Sequence, residues 1–402
     1  MISNSMYERE REQFMINILF LHAGAEMYGA DKVMLDLIRN LDKKEFSAHV
    51  VLPCDGVLVE ALKKEGISVE VIPYPIMRRK YFNPKGIIKY GFGLLKYSKK
   101  ISEIAREREI DIIHTNTAAT LEGCFVSKKL HIPQLWSIHE IIVSPKLMFK
   151  LTSRWISKYA SITITVSGAV KQHLMTSGCF QDDDIHVIYN GVDANRFKPE
   201  NDSTYLRKEW NIPEGSRVIG MMGRVNSWKG QGDFLKAANI VMSKYRDVYT
   251  VFVGAAFEGE EWREKELAEA IAQSPYKDRI INQGYRTDSE GIYKLYDIFV
   301  LPSTNPDPLP TVVLEAMATG KPVVGYKHGG VCEMVADGEN GLLATVRDPE
   351  DLAAKICNLL EDDSLREKMG VSSRMRLLER FSIESYVENY SKEYRLLSKG
   401  TQ

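Results

Sequence analysis

Short apolar runs alternate with helix-length amphipathic stretches along nearly the whole chain. The segments 14–23, 47–53, 68–74, 111–117, 134–140, 161–167 and 185–191 read as strands. The pattern restarts after Phe197 with 217–224, 248–256, 279–286, 298–304 and 321–330. Between them, stretches such as 30–42, 87–108 and 145–158 carry apolar residues at helical spacing. Strands that are apolar on both faces and separated by helices predict parallel sheets covered on both sides. Two such series predict two Rossmann-like domains, 1–195 and 196–380, with the polar stretch 196–204 as linker. Ile383, Val387, Tyr390, Tyr394 and Leu397 share one face of a last helix, so 381–402 is expected to cross back to the first domain.

Composition narrows the class. A chain of 402 residues, 44% hydrophobic and 27% charged, has the make-up of a globular protein with more than one core. A formal charge of −1 argues against bulk nucleic-acid binding. The five cysteines, Cys54, Cys124, Cys179, Cys332 and Cys357, stand singly with no metal-ligand spacing. Reduced thiols and a cytoplasmic location are therefore expected. The polar start 1–14 has no signal-peptide core, and no apolar run approaches the ~20 residues that cross a bilayer.

In doubly wound sheets, ligands bind beyond the carboxyl ends of the strands. The residues just after the strands here are chemically informative. In "MMGRVNSWKGQGDFLKAA" (221–238), an apolar strand ends in Gly223, followed by Arg224, Lys229, Gly230 and a helix. Glycine admits close backbone approach, the helix start offers N–H groups, and the two cations suit phosphate oxygens. A diphosphate clamp and a pair of solvated surface cations both fit this segment alone. The segment "LPSTNPDPLPTVVLEAMATGKPVV" (301–324) adds Asp307 in a proline-rich loop and Glu315 in an apolar helical run starting near Thr311. A buried carboxylate needs a partner, either the adjacent hydroxyls of a ribose or a neighbouring Lys or Arg. The amides of Thr311 and Val312 stand at the helix start, where phosphate binds. In the first half, Gly29 in "HAGAEMYGADKVMLDLIRNL" (22–41) brings backbone near a ligand, but no G-x-G-x-x-G is present, so a dinucleotide is not expected.

Taken together, "GRVNSWKG", "PST…LEAMATGKPVV", "GGVCEMVADGENGLL" and "VIYNGVDANRF" resemble the family 4 glycosyltransferases over most of 185–360. The first half matches more loosely, through "YGADKVMLDL", His139 in "SIHE" and "TVSGAVK". The resemblance implies the α/β GT-B fold, two facing Rossmann-like domains with an interdomain cleft. It implies retaining transfer of a sugar from a UDP- or GDP-type donor, without metal or other cofactor. By position, Arg224 and Lys229 would bind the diphosphate, with Gly223 alongside, and Glu315 the ribose. Asp307 and His139 would face the donor sugar, Gly29 would lie near the transferred sugar and phosphates, and Gly284 and Tyr285 would flank the base. The family's E-G-F-G-L is here Asp307-Pro308-Leu309-Pro310-Thr311, so two N–H donors are lost and only that of Leu309 remains inside the loop.

The acceptor expected is a glycan, lipid-linked, in surface-polysaccharide assembly of the bacterial type, lipopolysaccharide included. Residues 71–102 contain no Asp or Glu but carry Arg78, Arg79, Lys80, Lys85, Lys89, Lys96, Lys99 and Lys100 among aromatics. Lys146, Lys150, Arg154 and Lys158 repeat the pattern. An anionic membrane surface on the cytoplasmic side fits both stretches, as does an ordinary solvated helix face packed on a sheet. Two other readings remain: an enzyme making a soluble glycoside, and a non-catalytic nucleotide-sugar-binding protein.

Overall fold

The structure, a computed structural model, describes residues 15–78 and 81–399. It contains two parallel sheets of Rossmann type. The first runs β3-β2-β1-β4-β5-β6-β7, from β1 (Ile16–Leu21), β2 (Phe46–Leu52), β3 (Ser68–Val71), β4 (Ile112–Thr115), β5 (Gln134–Ile138), β6 (Ile162–Thr165) and β7 (Ile185–Val187). The second runs β10-β9-β8-β11-β12-β13, from β8 (Arg217–Met222), β9 (Val248–Val253), β10 (Ile280–Gln283), β11 (Ile298–Leu301), β12 (Val323–Tyr326) and β13 (Gly341–Ala344). The α/β class and the two-Rossmann reading are thus as the pattern predicted. The described strands end one to four residues before the apolar runs do, because the last residues of each run turn into the loops that carry the candidate chemistry.

The chain packs as two compact units. One comprises residues up to Ile164 together with Ser177–His186 and Val387–Gln402; the other comprises Thr165–Thr176 and Val187–Tyr386. Residues 196–204 lie inside the second unit, where Arg374 donates to the carbonyls of Ala194 and Phe197. The helix Gly168–Met175 also belongs to it, its first N–H groups donating to Glu333.

In the first unit, β1 and β4 are covered on both faces, which is why INILFL and IIHT read as near-continuous apolar runs. Asn83 caps the helix Pro84–Glu107 by accepting from Gly86 N at 2.8 Å, with Pro84 at the first helical position. That helix buries Leu94, Ser98, Ile101 and Ala105, one stripe at helical spacing. From Val387 onward the C-terminal helix Ile383–Lys399 packs in this unit. Tyr390 and Tyr394 are buried there, and their hydroxyls meet Ser137 Oγ at 2.8 Å and His114 Nδ1 at 2.7 Å.

In the second unit, β11 and β12 are buried throughout and β8 at its four inner residues, which makes them the centre of the sheet. Gly220 in β8 makes room for Tyr296, whose ring would lie 2.0 Å from an added Cβ.

Candidate functional site

The strand order of the second sheet reverses between β8 and β11, the switch point at which such sheets bind ligands. Gly223 directly follows β8 at φ 154°, and its N–H donates to Val253 O. Gly254, at φ 145°, touches it, since a Cβ at 254 would fall 2.0 Å from Gly223 O. The Arg224 guanidinium lies 3.5 Å from the Phe257 ring centroid, a stacked cation–π contact. Asn226 Oδ1 accepts from the backbone N–H of Trp228 and of Lys229, at 3.1 and 2.8 Å, and so bends the loop into an Asx turn. Gly230 then turns into the helix Gln231–Lys244 at φ 86°, with Pro302 O 1.9 Å from where a Cβ would stand. Only glycine meets both conditions.

The loop after β11 faces this one within the same unit. Lys229 Nζ lies 2.5 Å from Asp307 Oδ2, and Ser303 Oγ donates to the same oxygen at 3.3 Å. Behind Asp307, Gly330 N–H donates to its carbonyl, and Gly329 adopts φ 61° at a spot where a Cβ would lie 2.6 Å from that carbonyl. The Gly329–Gly330 pair therefore serves loop-on-loop packing. Leu309 is buried, Pro310 precedes the helix Thr311–Ala318, and the amides of Thr311 and Val312 open it. Glu315 is buried one turn in, and its Oε2 accepts from the Tyr293 hydroxyl at 2.7 Å. Burial, reinforced by the Glu315 charge, raises the Tyr293 pKa well above the phenol range. At the end of β10, Gly284 O accepts from Gly254 N–H, while the Tyr285 side chain is 64% exposed.

The first unit has its own cluster at the β1/β4 switch point. Asp31 Oδ1 meets His22 Nε2 at 2.8 Å. His22 Nδ1 meets the Asn116 amide nitrogen at 3.2 Å, and Asn116 Oδ1 meets His139 Nε2 at 2.9 Å. Glu140 braces the far side, accepting from Thr117 Oγ1 and from His139 N. Burial lowers the His139 pKa to about 3, His22 adds to the shift and Asp31 opposes it. With Asn116 Oδ1 accepting, the neutral ring carries its proton on Nε2 and keeps Nδ1 as an acceptor. Gly29 is the exposed first residue of the helix Gly29–Asn40, one position before the helix start read from the sequence. Tyr28 is its N-cap, and its N–H donates to Asp31 Oδ2 at 2.8 Å.

Sequence reasoning brought out Arg224, Lys229, Asp307, Leu309, Thr311, Val312 and Glu315, and the structure places them on the loops after β8 and β11 and on the helix Thr311–Ala318 that follows the second loop. It missed Asn226, Ser303, Phe257, Tyr293 and Asn116. Asn three residues before Lys229 is a readable turn signal. The others meet their partners only through strand order. Among the described residues, no group of three or more His, Cys, Asp or Glu is placed to hold a metal ion.

Two parallel-sheet units of Rossmann type are the architecture of the GT-B glycosyltransferases among the chain's structural neighbours. Residues 202–376 match the description "Glycosyl transferases group 1" and residues 27–196 match "Glycosyltransferase Family 4". The chain belongs to the family 4 glycosyltransferases and is an enzyme of that kind. The crystal structure of Anabaena Alr3699/HepE in complex with UDP and glucose is 27% identical, covers 94% of this chain and 99% of its own, and superposes with a TM-score of 0.81. N-acetyl-alpha-D-glucosaminyl L-malate synthase of Bacillus anthracis is 24% identical over 78% of this chain and 81% of its own. The lipopolysaccharide core biosynthesis mannosyltransferase LpsB of Rhizobium meliloti is 28% identical over 53% of this chain and 61% of its own. Use of a nucleotide-sugar donor follows for this chain.

Proposed function

We propose that the enzyme transfers a sugar from a UDP-sugar to a hydroxyl of a glycan acceptor, with retention at the anomeric carbon and without a bound metal. The observation that carries this reading is the grouping of Arg224, Lys229 and the Thr311–Ala318 helix start on the β8 and β11 loops. In the reaction the bond from the anomeric carbon to the diphosphate oxygen breaks, and a bond from that carbon to the acceptor oxygen forms on the same face. The acceptor's proton passes to the departing phosphate oxygen. Negative charge grows on that oxygen, so fixed cations and amide N–H groups aimed there stabilise the transition state more than the ground state. Glu315 takes the ribose hydroxyls in this reading. Gly284 and Tyr285 flank the base, and neutral His139 offers the sugar a hydrogen bond. Complexes of Alr3699/HepE with UDP and with UDP-glucose favour uridine over guanosine as the base.

The acceptor we propose is lipid-linked, in surface-polysaccharide assembly, presented at an anionic membrane surface. On the helix Pro84–Glu107, Ile88, Phe92 and Leu95 are 61, 75 and 60% exposed, opposite the buried stripe. Lys85, Lys89, Lys96, Lys99 and Lys100 flank them. The helix Lys146–Tyr159 likewise exposes Leu147 and Leu151 among Lys146, Lys150, Arg154 and Lys158. Apolar residues rimmed by lysines suit an anionic interface. Arg79 and Lys80 lie outside the described residues. No described helix is long and apolar enough to cross a membrane. In this reading the enzyme works at the cytoplasmic face of the membrane. A small soluble acceptor is the second reading, supported by the malate synthase relative.

A panel of UDP-, GDP-, ADP- and CDP-sugars, read first by thermal shift and then by transfer, tests the reaction. The expected result is stabilisation by UDP-sugars and a product whose anomeric proton coupling matches the donor's configuration. Stabilisation by another nucleotide, or an inverted product, contradicts it.

A further inference from the structure

Asp307 stands where a donor-sugar contact is expected, yet its surroundings suit a different task. Its Oδ2 takes both the Lys229 ammonium, at 2.5 Å, and the Ser303 hydroxyl, at 3.3 Å. The Lys229 and Asp307 side chains are only 12 and 7% exposed, so this is an enclosed pair whose separation strands a charge. Each end is fixed by its own backbone. Asn226 caps the N–H of Lys229, and Thr304 N–H donates to Trp228 O at 2.7 Å, tying the two loops together one residue before the lysine. On the other side, Gly329 and Gly330 press on the Asp307 backbone. Beyond Asp307, Pro308 and Pro310 supply no N–H. Such a loop is poorly equipped to read sugar hydroxyls and well equipped to hold one ammonium in place.

We propose that Asp307 is a positioning residue for Lys229, fixing the ammonium for the leaving diphosphate, and does not read the donor sugar. The inference rests on the donor site proposed above. A lysine stem is flexible and gains from an anchor. The anchoring carboxylate also repels a diphosphate. Removing its charge therefore tightens binding of free nucleotide while it loosens Lys229 in the transition state. A sugar-reading carboxylate instead costs turnover by a factor that depends on the donor sugar and leaves free-UDP affinity unchanged.

The test uses full-length Asp307→Asn, Asp307→Glu and Lys229→Met, alone and, for the first and last, combined. UDP binding is read by calorimetry, and kcat and KM are read on each UDP-hexose that the wild type accepts. The expected result for Asp307→Asn is UDP affinity higher by about threefold or more, with kcat lower by about tenfold or more. That loss has the same factor for every donor sugar, and adding Asp307→Asn to Lys229→Met changes kcat by less than about twofold. Asp307→Glu keeps the anchor and stays near wild type in UDP affinity. Should Asp307→Asn fail to fold, the Asp307→Glu variant decides alone: donor-independent kinetics uphold the proposal, and a sugar-dependent KM overturns it. Unchanged UDP affinity in Asp307→Asn, with a loss that varies between epimers and adds to that of Lys229→Met, also overturns it. If the wild type binds UDP but transfers no sugar, the proposed reaction fails, while the affinity comparison still decides the role of Asp307. If the wild type binds no UDP, the donor site and this inference fall together.

Discussion

The Tyr293 hydroxyl donates to Glu315 Oε2 at 2.7 Å, both groups buried and 22 residues apart in the chain. The tyrosine comes from the helix Ser289–Leu295 and the glutamate from Thr311–Ala318, so the contact depends on how two helices flank β11. Removing the hydroxyl takes a donor from a buried carboxylate. Tyr293→Phe is expected to lower stability by about 1–3 kcal/mol in urea unfolding, with secondary structure unchanged. Saturating UDP should recover part of that loss if ribose hydroxyls reach the same carboxylate.

Arg224→Ala and Lys229→Ala address the leaving group. If each cation supplies ~3 kcal/mol to the transition state, each variant loses at least ~10²-fold in kcat. Steady-state kinetics on the accepted UDP-sugar reads this. Near-normal turnover in both variants contradicts the assignment.

Proton linkage gives a prediction independent of activity. The folded-state pKa of His139 is lowered to about 3, against 6.5 for the unfolded chain. Between those values the unfolded state binds the extra proton, so this group's contribution to stability is complete above pH 6.5 and lost as pH falls toward 3. His114, lowered well below its usual value by burial, acts in the same direction. Chemical denaturation followed from pH 7.5 to 4.5 should show stability falling with acid, less steeply in His139→Asn.

Glu122 carries the opposite sign. It is fully buried at the start of the helix Glu122–Leu130, and burial raises its pKa to about 8 from 4.5. The folded state then holds a proton that the unfolded chain releases, so this group opposes folding increasingly as pH rises from 4.5 to 8. Glu122→Gln is expected to stabilise the protein more at pH 8 than at pH 5, read by the shift in Tm. An equal shift at both values contradicts the assignment.

The membrane reading has its own measurement. Replacing Ile88, Phe92 and Leu95 by serine should abolish sedimentation with phosphatidylglycerol vesicles while leaving Tm unchanged, because none of the three is buried. Binding that persists, or that survives neutralisation of Lys85, Lys89, Lys96 and Lys99, removes the proposal.

Much of this molecule is legible from its sequence because its determinants are local. An apolar run of four to six residues followed by glycine and a helix announces both a parallel strand and the loop beyond it, as at Met222–Gly230. The strand Gly341–Ala344 escaped because "GLLA" is short, starts with glycine and adjoins a turn rather than a long apolar run. What stayed hidden is contact between distant segments. Nothing in the sequence pairs Phe257 with Arg224, Asn116 with His139 or Tyr293 with Glu315; those pairs follow from the strand order, which only the fold supplies. The Lys229–Asp307 pair is the instructive case. Both residues were visible as candidates, but their closeness, on which the positioning role proposed for Asp307 rests, was not.

The most direct test of the account is a crystal structure of the full chain with UDP. The expected result places the diphosphate within hydrogen-bond reach of Arg224, Lys229 and the Thr311 and Val312 amides, with the ribose hydroxyls on Glu315 and no metal ion between protein and phosphate. A diphosphate bound away from those groups, or held through a divalent cation, contradicts it.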